Sequence, residues 1–168
     1  MTVNNNDTVP CPLCSEQKGK DLMMIVRPSM IILQDNRILL MKYNYNGQDL
    51  FGLPGGNPDD GETLAQTLVR ELQEELNLIV EVDKLALIGE VILEGKKKST
   101  LHCVFWGRII SGSPEANPEH TTASGYVWLD ADELDTISMY PNVGRYIKDL
   151  VRGKLPNPYI GLIPQQWF

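Results

Sequence analysis

The clearest periodicity in the chain falls at Leu64, Leu68, Leu72 and Leu76, apolar at every fourth residue, with Ala65 and Val69 beside them. One stripe of a cylinder is therefore apolar, which predicts a helix that buries that face. Thr63 followed by Gln66 has the form of a capping box and sets the helix start. Upstream, residues 23–33 and 37–43 are strand-like runs joined by the turn Gln34-Asp35-Asn36, a predicted hairpin, and residues 44–49 form a polar loop. Downstream, residues 79–82 and 85–93 are expected as strands, 94–98 as a turn and 100–110 as a returning strand. A Pro- and Gly-containing loop then leads to a short strand at 126–129, and Asp130 or Asp132 is placed to cap a helical turn at Glu133-Leu134. Val143, Tyr146, Ile147, Leu150 and Val151 have helical spacing, with Gly153 as the stop. This second helix is expected to cover the face of the sheet opposite the first, giving α/β/α layers around a mixed sheet.

The chain has 168 residues, 42% of them hydrophobic, enough for one domain with a substantial core. Its net charge of −7 argues against duplex nucleic acid as a partner, because binding to a phosphate backbone needs a lysine and arginine surplus. A small anionic substrate remains compatible if a metal and a few local cations supply the positive field. No apolar run is long enough to span a membrane, and the polar start does not resemble a signal peptide, so a cytoplasmic location is expected.

Residues 1–20 read as a polar tail or small appendage, with residues 21–168 as the main domain. Cys11 and Cys14 have the spacing of half a zinc ribbon, and thiolates so placed can chelate one zinc. A complete site needs four ligands. His102 and Cys103 alternate in a strand and cannot readily both turn to one metal, so a plain tail is the preferred reading. Trp167 and Phe168 suit packing against the domain or a second copy, leaving a homodimer open.

The chemistry lies at and before the first helix. Glu71, Glu74 and Glu75 stand three and four residues apart, so their carboxylates share one side of the cylinder. Two readings apply: a solvated acidic face, or a site for a hard divalent cation that turns repulsion into coordination. The preceding stretch, from Leu53-Pro54-Gly55-Gly56 through Gly61-Glu62, is a tightly turning backbone able to approach a ligand closely. Counted from Gly56, five residues lead to Glu62, seven more to Arg70-Glu71-Leu72, one to Glu74-Glu75 and one to Asn77-Leu78. This spacing resembles the Nudix box, Gly-x5-Glu-x7-Arg-Glu-U-x-Glu-Glu-x-Gly-U with U aliphatic. It departs at one defined position, where Asn77 replaces the last glycine. Asn is the next most tolerant residue for the left-handed conformation such a glycine supplies, so the same geometry is expected.

The resemblance covers roughly residues 22–152. It implies a Nudix-like α/β/α sandwich and a hydrolase that breaks a phosphoanhydride in a nucleoside diphosphate linked to another moiety, using Mg²⁺ or Mn²⁺. Carried over by position, Glu74 and Glu75 are core metal ligands, Glu71 a ligand or general base, and the Gly55 carbonyl a further ligand. Arg70 orients the carboxylates, while Gly56 and Glu62 shape the loop. Glu119 is the candidate for a late metal-binding glutamate, with Glu115 second, against a solvated loop acid. Tyr45 or Phe51 could stack on a base or pack on the core, and Arg27 and Lys42 could contact phosphates or be solvated strand charges. The lysines at 96–98 read as solvated, with phosphate binding as the minority reading.

ADP-ribose-cleaving relatives often carry a proline about fifteen residues past the box, and dinucleotide-cleaving ones a tyrosine slightly further on. Residues 93–96 offer neither. The expected substrate is therefore a nucleoside triphosphate or nucleotide sugar, as in the MutT-like branch, with ADP-ribose or a dinucleotide as the alternative. A catalytically silent nucleotide-binding regulator is a further alternative, disfavoured by the intact acids. Weaker still is a regulator assembled through the Cys11–Cys14 segment.

Overall fold

The computed structural model describes residues 24–93 and 99–165. Cys11, Cys14, the lysines at 96–98 and Trp167-Phe168 lie outside the described residues.

Seven strands and two helices follow in the order β1 (Ile25–Gln34), β2 (Arg37–Tyr45), β3 (Gln48–Gly52), α1 (Leu64–Leu76), β4 (Ile79–Val91), β5 (Thr100–Ser111), β6 (Gly125–Asp130), α2 (Gly144–Val151) and β7 (Tyr159–Leu162). The sheet runs β3-β2-β1-β5-β4-β7, with β6 also paired to β2. It is mixed, since β1 pairs β5 and β4 pairs β7 in parallel while the other ladders are antiparallel. Among the described residues no helix is long and apolar enough to cross a membrane.

Alternation along β1 and β2 assigns the two faces. Met30, Ile32, Leu39 and Met41 pack with Leu68, Leu72 and Leu76 of α1. Ile31, Ile38 and Leu40 pack with Val143 and Ile147 from the α2 segment. Central strands buried on both faces read as continuous apolar runs, as Met30-Ile31-Ile32 does here. The two helices thus cover opposite faces, as the periodicity predicts. Each of the three α1 leucines is fully buried, contributing roughly 2 kcal/mol of hydrophobic stabilisation.

Three expectations change. The polar loop at 44–49 is mostly strand: Tyr45 pairs with Gln48 across an Asn46-Gly47 turn, and β3 follows. Both turn residues have positive φ, at 52° and 81°, which suits a two-residue hairpin. Residues 79–82 and 85–93 are not two strands, because β4 runs through 79–91 and absorbs the break as register shifts against β5. The C-terminal segment adds β7, a four-residue parallel edge strand the pattern does not announce.

One feature of the topology positions the cleft described below. β1 and β2 pair only at Leu33↔Ile38 and Gln34↔Arg37, and beyond these they diverge. The segment after β3 enters that gap, where Pro54 accepts a hydrogen bond at 2.9 Å from the Met30 amide.

Candidate active site

Helix α1 starts as its capping box dictates. The Thr63 hydroxyl accepts from the Gln66 amide at 3.3 Å, and the Gln66 side chain accepts from the Thr63 amide at 2.9 Å. The helix ends at Asn77, which takes the left-handed conformation at φ 55°, ψ 36°. Its amide and that of Leu78 then reach back to the carbonyls of Gln73 and Leu72. With both ends fixed, Glu71, Glu74 and Glu75 hold a common side of the helix.

Arg70 links this side to the glycine-rich loop. Its Nε and Nη2 donate to the two Glu62 oxygens at 2.8 and 2.9 Å, a bidentate pair. Nη1 donates to both Glu71 Oε1 and Glu74 Oε2 at 3.1 Å, and Nη2 also reaches the Asn57 carbonyl at 3.1 Å. The Arg70 guanidinium, helped by the Asp59 amide, holds the Glu62 carboxyl far below its ordinary range, at about 2. Arg70 is itself pushed above its usual value, chiefly by Glu62. A lysine could not serve five acceptors in this planar arrangement.

The two glycines serve different contacts. A Cβ on Gly56 would collide with the Glu71 carboxylate, so the missing side chain is what lets that carboxylate lie against the loop. Gly55 has φ 145°, and a Cβ there would strike the Pro28 carbonyl and come within 2.7 Å of Ser29 Cα. The Gly55 carbonyl accepts from Arg27 Nη2 at 2.9 Å, leaving a second lone pair. Arg27 Nη1 reaches Asn57 Oδ1 at 3.3 Å.

Glu75 points into a cleft of about 340 Å³ at the gap where β1 and β2 diverge, lined also by Arg27, Ser29, Tyr43, Phe51 and His102. Its Oε2 is buried without a hydrogen-bond partner among the described residues. Burial pushes the Glu75 carboxyl up, opposed by nearby Thr121 and Arg27 and reinforced by Glu71 and Glu74. Thr121 belongs to the loop after β5, which is pinned to the end of α1 by amide hydrogen bonds from Glu115 to the Leu76 carbonyl and from Asn117 to the Glu75 carbonyl.

The donors suit a hard divalent cation: clustered carboxylates, one buried carboxylate oxygen lacking a partner, and a loop carbonyl with spare capacity. The carboxylates are not drawn around one point, however. Among the described residues no group of three or more His, Cys, Asp or Glu side chains is arranged to hold a metal. Arg70 engages one oxygen each of Glu71 and Glu74, which leaves the other oxygen of each carboxylate for ligation.

The remaining expected residues are placed as follows. Tyr45 and Phe51 line the cleft, Tyr45 with its ring stacked on Tyr43 at 6.3 Å between centroids. Lys42 is absent from that lining and pairs with Asp49 at 2.7 Å. Glu119 sits in an exposed turn, its amide donating to Asn117 Oδ1 at 3.1 Å, one residue before His120 at the cleft rim. Sequence reasoning missed Ser29, Tyr43, His102, Thr121 and Tyr140 as cleft residues. For His102 a signal existed, since it is the one titratable ring in an otherwise apolar stretch of β5.

Comparison with known proteins agrees with this geometry. The NUDIX domain model matches residues 24–150. The chain is 31% identical over 125 residues to an ADP-ribose pyrophosphatase of Methanocaldococcus jannaschii, covering 74% of this chain and 71% of that protein. It is 32% identical over 124 residues to a putative 8-oxo-dGTP diphosphatase of Bacillus subtilis, covering 74% and 77%. Among solved structures, a MutT NUDIX hydrolase from Burkholderia pseudomallei superposes with a TM-score of 0.64 at 24% identity, covering 77% of this chain and 98% of that one, a likeness of fold. Box spacing, the Gly56–Glu71 contact, the sheet between two helices and these matches converge, and the chain belongs to the Nudix hydrolase family.

Proposed function

We propose that this protein is a divalent-metal-dependent pyrophosphohydrolase that cleaves the phosphoanhydride of a nucleoside diphosphate joined to a further group, such as a nucleoside triphosphate or nucleotide sugar. The observation that carries this reading is Glu75: a carboxylate from the acidic helix face, with one buried oxygen lacking a partner, opening onto a cleft of nucleotide-binding size.

Glu74 and Glu75 are the core ligands for Mg²⁺ or Mn²⁺, with Glu71 as ligand or general base and the Gly55 carbonyl as a further donor. Glu119 is the candidate to join them from the loop after β5. A hard divalent cation supplies neutralisation of the crowded phosphate oxygens and an acidified, positioned water. The chain's residues do the rest. Arg70 holds one oxygen each of Glu71 and Glu74, Glu62 locks Arg70 and the loop together, and Arg27 offers positive charge beside Gly55. Tyr45 and Phe51 provide aromatic wall. The printed names of the two curated relatives support a pyrophosphate-cleaving reaction and differ in substrate, so ADP-ribose belongs among the substrates to be tried.

The test is a phosphate and pyrophosphate release screen with Mg²⁺ and Mn²⁺ over nucleoside triphosphates, nucleotide sugars, ADP-ribose and dinucleotides, with Glu75→Gln beside the native chain. We expect a hit that disappears in Glu75→Gln while the variant stays folded. Full activity in that variant, or silence across the panel with metal bound, overturns the reading.

A further inference from the structure

Four buried side-chain atoms lack hydrogen-bond partners among the described residues: Ser29 Oγ, Glu75 Oε2 and both ring nitrogens of His102. All three residues line the one 340 Å³ cleft. Ser29 is 4% exposed and His102 1%. An unpaired buried polar group costs its full desolvation penalty, so natural proteins seldom keep several at one place without a ligand to satisfy them. The Glu75 oxygen is accounted for by the proposed metal site. The hydroxyl and the imidazole are not.

Their placement is specific. Arg27 and His102 are register partners on the parallel strands β1 and β5, and Ser29 follows two residues along β1. The Tyr140 ring meets the His102 ring edge-on at 5.6 Å. Tyr43 and Phe51 form further aromatic wall. Arg27 donates to the Gly55 carbonyl and to Asn57, so its charge is held at the glycine-rich loop, where the diphosphate would lie. A neutral imidazole presents one donor and one acceptor, and a serine hydroxyl can present both. The two ring nitrogens point in diverging directions, so one of them together with the serine hydroxyl can face a given ligand edge. Between aromatic rings, that pair matches a flat, uncharged ring with a donor and an acceptor on one edge.

We infer that Ser29 and His102 form the floor of a nucleobase subsite, reading the hydrogen-bonding edge of a base held against Tyr43, Phe51 and Tyr140 while the diphosphate extends toward Glu75. This deepens the proposed function and rests on its nucleotide substrate class. A site that hydrogen-bonds its ligand through buried groups rejects analogues lacking the matching atoms, because those groups are then left unpaired.

The test separates binding from hydrolysis. Free nucleosides carrying each of the common bases, together with ribose 5-phosphate as a baseless control, are titrated by NMR to millimolar concentration into the native chain and into Ser29→Ala, His102→Phe and His102→Gln. One nucleoside class is expected to bind the native chain and to shift Ser29, His102 and Tyr140 signals. Affinity is expected to fall about tenfold or more in Ser29→Ala and His102→Phe, and to be largely kept by His102→Gln, which retains a donor and an acceptor. Ser29→Ala is expected to fold at least as well as the native chain, since it deletes an unpaired hydroxyl, so its loss of binding is not a folding defect. No nucleoside binding, equal binding in all variants, or preference for ribose 5-phosphate overturns the inference. Hydrolysis without base dependence defeats the subsite and spares the proposed function, whereas nucleoside binding with a silent hydrolysis screen does the reverse.

Discussion

Acidification should destabilise this protein through His102, by an amount the structure lets one work out. Burial, reinforced by the Arg27 charge, lowers the His102 pKa from 6.5 to about 4. Of the groups around it, Arg27 on β1 opposes its protonation, and Glu75 on α1, Tyr43 and Tyr140 line the same cleft. Between these two pKa values the unfolded chain binds more protons than the folded one, so stability falls as pH drops. The contribution is fully present above 6.5, declines through the window down to about 4, and is constant below it. At about 1.4 kcal/mol per pH unit the whole loss is about 3 kcal/mol, of which about 2 kcal/mol has gone by about pH 5. The assay is urea unfolding of the native chain and of His102→Gln at about pH 7.5 and about pH 5. Carboxylate titrations shared by both proteins cancel in the comparison. The native chain should lose about 2 kcal/mol more than the variant. Equal losses would mean that His102 protonates freely in the folded state, and the burial argument would fail.

The paired glycines should separate fold from activity. Gly55→Ala sets a Cβ against the backbone of Pro28 and Ser29 at φ 145°, so thermal denaturation should show a clear loss of stability. Gly56→Ala meets the movable end of Glu71, so stability should change little while metal-dependent hydrolysis drops steeply, as steady-state kinetics would reveal. Equal effects in the two variants would contradict the distinction. Asn77 occupies the left-handed C-terminal position, so Asn77→Ala should cost about 1 kcal/mol by chemical denaturation and Asn77→Gly should be close to neutral; indifference to alanine would show that the cap carries no strain.

The sequence by itself determined what is local. The capping box, the four leucines, the acids at spacings of three and four, and the left-handed Asn77 all depend on neighbours within one or two helical turns, so α1 and the loop before it were legible without coordinates. The helical spacing of residues 143–151 carries the expectation that the second helix covers the face opposite the first, and the packing of the two helices agrees. β3 was less legible because it is only five residues long and opens on the polar Gln48-Asp49, although the Asn46-Gly47 pair is the kind of turn that closes a two-residue hairpin. β7 left no mark, being short, half-exposed and held by parallel pairing to a strand distant in sequence.

Tertiary structure alone decided the cleft. Ser29 and His102 become neighbours because β1 pairs in parallel with β5, a contact between segments seventy-odd residues apart that no periodicity encodes. The divergence of β1 from β2 opens the gap, and β3 brings Phe51 to its wall. Lys42, expected at the cleft, instead pairs with Asp49 across the β2–β3 ladder, a partner that existed only once β3 had formed. Spacing along a chain fixes which side chains share a helix face. Which buried groups are left facing one another without partners depends on how distant strands meet.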